Sequence, residues 1–272
     1  MIRTFLILCL GTVALGKGLD LQSPHDFIDA IGRLEREEGI TEYFESRIVG
    51  GSTAALGQFP YQVSLRTPAN AHFCGGILAN NRWVVSAAHC TINRTPANTN
   101  VVLGAHSRTT GGTTFTLARL INHPDYHAPT IAWDVCVLQT NDAIAFSNVI
   151  QPIPLGSNHI GGGVTAVVSG WGLTSSPGSL AANLQFVHVQ TWENPACATA
   201  LGASGSMVFP HKICAGGVEG QGVCSADSGG PLAIGNTAIG IVSWGIPCAR
   251  GFPDGYDRIS SHRPWILQQF ES

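Results

Sequence analysis

The sequence predicts an all-β protein, a barrel or sandwich built from many short strands. Three observations lead there: short apolar or alternating runs recur along the chain, Gly, Pro and Asn punctuate the stretches between them, and helical periodicity is scarce. In chain order, the run 61–65 alternates Tyr61, Val63 and Leu65 with the polar Gln62 and Ser64, the two-residue period of a strand with one buried face. The runs 83–86 and 101–103 are nearly continuous Val, Leu and Trp, as in a buried strand. The runs 164–169, 186–189 and 238–242 are similarly rich in Val and Ile. One helix is predicted, over 260–270, with Pro264 tolerated in a first turn and Trp265, Ile266 and Phe270 on an apolar face. The tetrapeptide Thr-Pro-Ala-Asn occurs at 67–70 and 95–98, but no fixed period lies behind it, so it marks no repeat architecture.

The first residues read as a secretory signal, 1–16: basic Arg3, an apolar run to Ala14, then small residues around Gly16. That run is too short to span a membrane, and no later apolar segment is long enough, so a secreted, extracellular product without membrane attachment is expected. Residues 17–47 hold four basic and eight acidic side chains and no cysteine. Phe27, Ile28, Ile31 and Leu34 there fit either a short amphipathic helix or a solvated acidic linker.

From Ile48 onward, nine Lys plus Arg balance nine Asp plus Glu, so the net charge of −3 for the whole chain comes from the N-terminal segment. A neutral surface gives no support to nucleic-acid binding, which calls for a basic patch. Only one of those nine cations is a lysine, Lys212; arginine keeps its charge at higher pH, so the bias fits an alkaline setting. Eight cysteines in a secreted chain point to a disulfide framework; Cys9 falls in the signal, and seven remain. Asn93-Arg94-Thr95 is a glycosylation sequon in an exposed loop. Among the histidines, only His123 and His127 have ligand-like spacing, and Pro124 between them argues against a shared helical face, so no metal site and no cofactor is expected.

Chemistry concentrates in Cys224-Ser225-Ala226-Asp227-Ser228-Gly229-Gly230-Pro231. Asp, Ser and Gly are turn residues, and alone the stretch would pass for a surface turn. Upstream, however, lie Ser86-Ala87-Ala88-His89-Cys90 and Asp134-Val135-Cys136, together with Arg47 before Ile48-Val49-Gly50-Gly51 and Ser169-Gly170-Trp171-Gly172, and downstream lies Ser243-Trp244-Gly245. The order His, Asp, Ser differs from that of subtilisins and α/β-hydrolases. With these motifs the chain, from Ile48 to its end, resembles the chymotrypsin/trypsin family of serine proteases.

The resemblance implies a protease domain at 48–272 made of two six-stranded antiparallel β-barrels, about 48–155 and 156–272, with the active site between them and a short C-terminal helix. Gln151-Pro152-Ile153-Pro154 is the natural crossing. It further implies Ser228 as nucleophile, His89 as the base that takes its proton, and Asp134 as the group that orients His89. The N–H groups of Ala226 and Ser228 would form the oxyanion hole, where the family usually has glycine at the first position. Residues 17–47 become an activation peptide cut after Arg47 by a trypsin-like protease, freeing the Ile48 amine to pair with Asp227. The implied disulfides are Cys74–Cys90, Cys197–Cys214 and Cys224–Cys248, with Cys136 left as a buried inert thiol. Substrates would be proteins or peptides, protein protease inhibitors would be further partners, and the protein would be a monomer with a digestive role.

In that family the specificity pocket has its base six residues before the nucleophile, here Gly222 rather than the aspartate of trypsins. Ser243, Trp244 and Gly245 would form one wall and Asp254 the other. Gly222 with Asp254 resembles the crustacean collagenase group, the brachyurins, and predicts cleavage after large apolar residues with some basic ones accepted. The alternative is that Asp254 points away, satisfied by backbone donors, leaving a chymotrypsin-like pocket. A non-enzymatic alternative, a protease homologue acting as a binding or regulatory protein, would typically lack a triad member, whereas all three are present.

Overall fold

The computed structural model describes residues 50–173, 178–245 and 248–272. The expected signal, activation peptide, Arg47 and Ile48 lie outside the described residues. The chain is mostly β, in two antiparallel sheets. The first holds seven strands: β2 (Gln62–Arg66), β3 (His72–Leu78), β4 (Trp83–Ser86), β5 (Asn100–Leu103), β6 (Thr113–Phe115), β7 (Leu117–Asn122) and β8 (Cys136–Thr140). Their spatial order is β6-β5-β2-β3-β4-β8-β7. The edge strands β6 and β7 are separated in the chain only by Thr116, so the sheet curls round on itself without a ladder joining those edges.

The second sheet closes into a six-stranded barrel of β9 (Thr165–Gly170), β10 (Gln185–Trp192), β11 (Lys212–Gly216), β14 (Pro253–Arg258), β13 (Thr237–Trp244) and β12 (Pro231–Ile234), with β10 pairing back to β9. The short β1 (Ser52–Thr53), although it precedes the first sheet, adds to this second one through β10. Each sheet encloses its own core: Val63, Leu65, Ile77, Val85, Leu103 and Leu138 in the first, and Val168, Ile213, Leu232, Val242 and Tyr256 in the second.

Among the described residues three α-helices accompany the sheets, two more than the sequence pattern predicts there. α1 (Ala88–Thr91) and α2 (Asn194–Ala200) are too short to show a helical period; α2 carries only a proline near its start as a signal. α3 (Ile259–Phe270) begins one residue earlier than expected, and Pro264 falls in its second turn rather than its first. Ile259 and Ile266 of α3 are buried in the core of the first sheet, and Phe270 stacks on Trp83 with ring centroids 5.3 Å apart. The last helix thus straps the second half onto the first, as β1 ties the first onto the second. No helix among the described residues is long and apolar enough to cross a membrane.

Candidate active site

Strand pairing brings the candidate residues together. α1, which carries His89, directly follows β4, and Asp134 lies just before β8. β4 and β8 are neighbours with Ser86 opposite Cys136, so the two loops leave the same end of the sheet side by side. The Asp134 carboxylate, fully buried, accepts the His89 backbone N–H on Oδ1 at 2.8 Å and lies 2.7 Å from His89 Nδ1 through Oδ2. Two hydrogen bonds to one carboxylate fix both the position of the histidine and the face its ring presents.

Ser228 arrives from the other half, just ahead of β12. Its carbonyl accepts the N–H of Gly75 in β3 at 2.7 Å, a bond that joins the two sheets at the nucleophile itself. Gly229, at φ 79°, must be glycine on two counts: the left-handed backbone and the lack of room, since a Cβ there would run into Ser86 Oγ. The Cys74–Cys90 disulfide underlies both candidate groups. Cys90 Sγ is 3.7 Å from His89 Nε2 and 3.7 Å from the Ser228 carbonyl oxygen. Cys74, His89 and Cys90 are close enough to suggest a metal site, but both sulfurs are bonded to each other and neither is a thiolate.

Ala226 adopts φ 75°, the left-handed region that glycine occupies easily and that costs a residue with a Cβ about 1–2 kcal/mol. A three-residue chain holds it there. Arg66 Nε donates to Ser64 Oγ at 2.9 Å, Ser64 Oγ meets His72 Nδ1 at 2.8 Å, and His72 Nε2 meets the Ala226 carbonyl at 3.1 Å. A carbonyl only accepts, so His72 carries its proton on Nε2 and takes the serine's proton on Nδ1. Burial pushes the His72 imidazole down to about 4, which keeps it neutral.

Asp227, the residue expected to meet a new N-terminus, is fully buried. Oδ1 accepts Gly172 N–H at 2.7 Å and Oδ2 accepts Cys224 N–H at 3.0 Å. Burial outweighs these two bonds and pushes the carboxyl up to about 7.

Next to Ser228 opens a cavity of about 290 Å³ lined by Val223, Cys224, Ser225, Val242, Ser243, Trp244, Gly245 and Cys248. Three of the five expected pocket residues line it directly. Gly222 and Asp254 lie behind the lining. A Cβ built on Gly222 would stand 2.8 Å from Asp254 Oδ2, and one on Gly245 would stand 2.6 Å from Oδ1. The carboxylate therefore fills the room that glycine leaves at both base and wall. It is 2% exposed, accepts Val223 N–H on Oδ2 at 3.1 Å, and burial pushes it up to about 8. The side chain thus has a backbone donor and stands between the two glycines.

The remaining disulfides join Cys197 to Cys214 and Cys224 to Cys248, the latter bracing the pocket. Cys136 is a free, buried thiol that donates to the Ala87 carbonyl at 3.3 Å, and burial raises it to about 12. Asn93 is exposed.

Behind the pocket wall the structure joins Ser243 and Asp134 to three residues that motif reasoning did not assign, Lys212, Asp257 and His262. Ser243 Oγ donates to Asp134 Oδ2 at 2.6 Å, and Lys212 Nζ donates to Ser243 Oγ at 3.0 Å. Lys212 also reaches the Ile131 carbonyl at 2.6 Å and Asp257 Oδ2 at 2.5 Å, while His262 Nε2 meets Asp257 Oδ1 at 2.8 Å. In sequence, the only mark of this array is that Lys212 is the sole lysine after Arg47.

Comparison with known proteins gives a consistent result. Residues 48–266 match the family described as Trypsin. The chain is similar to Trypsin delta of Drosophila melanogaster, 35% identical over 232 residues, covering 85% of this chain and 91% of the relative. It is likewise similar to Trypsin alpha-4 of Lucilia cuprina, 35% identical over 236 residues with 86% and 92% covered. Trypsin beta of Drosophila erecta is 34% identical over 232 residues.

Proposed function

The chain belongs to the trypsin family of serine endopeptidases, and we propose that it is made as a secreted zymogen whose activated pocket accepts large apolar side chains together with arginine and lysine. In this reading Ser228 attacks the scissile carbonyl while His89 takes its proton and then delivers it to the leaving amine. Asp134 holds His89 in the productive tautomer and offsets the charge of the imidazolium. The N–H groups of Ala226 and Ser228 receive the oxyanion, an interaction worth about 2.7–4 kcal/mol per donor in such sites. Water then releases the acyl group by the same proton route in reverse. Support comes from the doubly bonded His89–Asp134 pair and from the hydrogen bond that brings Ser228 to β3.

Relatives carry the name trypsin, yet an aspartate at the pocket base is what resemblance to trypsins would demand, and Gly222 stands there. The observation that carries the broader specificity is the Asp254 carboxyl lodged between Gly222 and Gly245. As a neutral acid it closes the slot beneath an aromatic or leucine side chain. As a carboxylate it pairs with a basic head. Such breadth suits bulk protein hydrolysis, hence a digestive role outside the cell, with protein substrates, a trypsin-like activator and protein inhibitors as the partners of a monomer. Peptide substrates bearing Phe, Leu or Arg before the scissile bond test the pocket. In Asp254→Gly, hydrolysis after Arg should fall at least about tenfold relative to Phe, the scale of one lost charge-assisted bond. An unchanged profile would remove Asp254 from the specificity pocket.

A further inference from the structure

Lys212 is the only lysine that follows Arg47, and it is completely buried. An ammonium has three protons to donate, and here three acceptors take them: the Ile131 carbonyl, Ser243 Oγ and Asp257 Oδ2. The tripod leaves no proton over. A guanidinium, planar and forked, does not match three acceptors on three separate elements, which gives a reason for lysine here in a domain that otherwise uses arginine.

Two legs of the tripod bear on Asp134. Ser243 accepts from Lys212, so the serine's own proton is committed to Asp134 Oδ2, and the polarity of that hydroxyl is fixed. Ile131 belongs to the strained approach to Asp134, where Ile131 and Trp133 stand at φ 52° and 54°, a conformation that bulky residues hold only when their surroundings impose it. Lys212 pins the first of these, and His211 Nε2, next to it in the chain, accepts the backbone N–H of the second at 3.1 Å. The third leg, Asp257, balances the ammonium and is itself held by His262. His262 Nδ1 has no partner among the described residues.

We propose that Lys212 is a positioning residue for peptide hydrolysis, holding Asp134 through the Ser243 hydroxyl and the Ile131 carbonyl and setting the charge against which His89 is protonated. It touches no substrate. The role presupposes the proteolytic activity proposed for the site. The buried set Asp134, Lys212 and Asp257 carries one net negative charge, which protonation of His89 neutralises. Without the ammonium that set is more negative and draws a proton onto the imidazole more strongly. The other titratable groups packed here are Tyr126 and Cys136 near Asp134 and His211 and His123 beside Trp133. Burial lifts the first two, Cys136 to about 12, and depresses the last two, His211 to about 4, so each is pushed toward its uncharged form.

The test is steady-state kinetics on chain cleaved after Arg47, with active sites counted by a serine-directed phosphonate. In Lys212→Met, kcat per reactive site should fall about ten- to a hundredfold with KM within about twofold, as for a misplaced catalytic group. The acid limb of kcat/KM should move to higher pH by about half a unit or more. The double variant Lys212→Met/Asp257→Asn removes the unpaired carboxylate and restores the net charge of the set. There kcat should still fall while the acid limb stays at its wild-type position, which keeps the positioning role testable if the single variant folds poorly. His262→Gln leaves the limb in place if it belongs to His89. Wild-type protein that never reacts with the phosphonate defeats the proteolytic reading itself. Reactive wild type with an unchanged kcat and acid limb in the variants overturns the role of Lys212 alone. Failure of both variants to fold assigns the lysine to the fold and likewise overturns it.

Discussion

Burial lifts the Asp254 carboxyl up to about 8, with the nearby Asp227 adding to the effect and the Val223 N–H opposing it. The group is therefore mostly protonated at neutral pH, and its charge is poised to change within the working range of an alkaline compartment. A neutral acid under the pocket floor suits Phe or Leu, whereas an arginine head must first expel the proton or wait for its loss. The ratio of kcat/KM for Arg over Phe substrates should thus rise by about tenfold per pH unit up to about pH 8 and level off above it, as a single titration requires. Both substrates share His89, so its titration cancels in the ratio. A ratio flat from pH 6 to 9.5 would place the carboxylate out of reach of the substrate. Ala226 makes a different point at the same scale: a Cβ in the left-handed region is kept because His72 grips its carbonyl, so the departure from glycine is absorbed by the Ser64–His72 chain rather than by the loop.

Among the elements, α3 carries an exposed Pro264 in its second turn, where the ring removes the hydrogen bond that residue 264 would give to the Ser260 carbonyl. Pro264→Ala restores that bond and loses no buried contact. It should stabilise the fold by about 1–3 kcal/mol, seen as a rise of about 2–4 °C in Tm per kcal/mol for a domain of this size. An unchanged or lower Tm would mean that the proline is built into the packing of the strap. Strands were readable in the sequence where Val and Ile crowd together. The run 83–86 coincides with β4, and 101–103 and 238–242 lie within β5 and β13. α1 and α2 were not, because one or two turns give no period to detect. His89, Asp134 and Ser228 stood out as motifs, but the meeting of His89 with Asp134 depends on the register that sets Ser86 against Cys136, and the approach of Ser228 on its bond to Gly75, long-range pairings that no local pattern encodes. Asp257 and His262 left no mark at all: their roles exist only once β11, β13, β14 and α3 have packed around Lys212.

At the scale of the molecule, four of the described buried groups, His72, His211, Asp227 and Asp254, tie stability to pH in opposite senses. His72 and His211 are held near 4, below the ordinary 6.5, so the unfolded chain binds their protons more tightly, and stability rises as pH climbs from about 4 to 6.5. Asp227 and Asp254 are lifted from 3.8 to about 7 and about 8, so the folded chain binds their protons more tightly, and stability falls as pH rises across that span. Between pH 4 and 6.5 the pairs oppose each other; from 6.5 to 8 only the carboxylate losses remain. Uncleaved protein should therefore lose stability through this upper window. Cleavage after Arg47 changes one member. An Ile48 ammonium paired with Asp227 would bring that carboxyl down and itself be raised above the ordinary 7.7–8.0 of an α-amine. Its contribution is full below pH 8 and vanishes as pH rises through the raised value. It also vanishes in acid, once Asp227 is protonated. With Ser228→Ala blocking autolysis, trypsin-cleaved chain should melt about 3–10 °C above uncleaved chain near pH 7.5, the size of one charge-assisted bond in a domain this large. The gap should close below pH 4 and above pH 10, and Arg47→Gln should keep the uncleaved profile after trypsin treatment. Cleaved and uncleaved chains melting alike at every pH would show that Asp227 is not the partner of the new terminus.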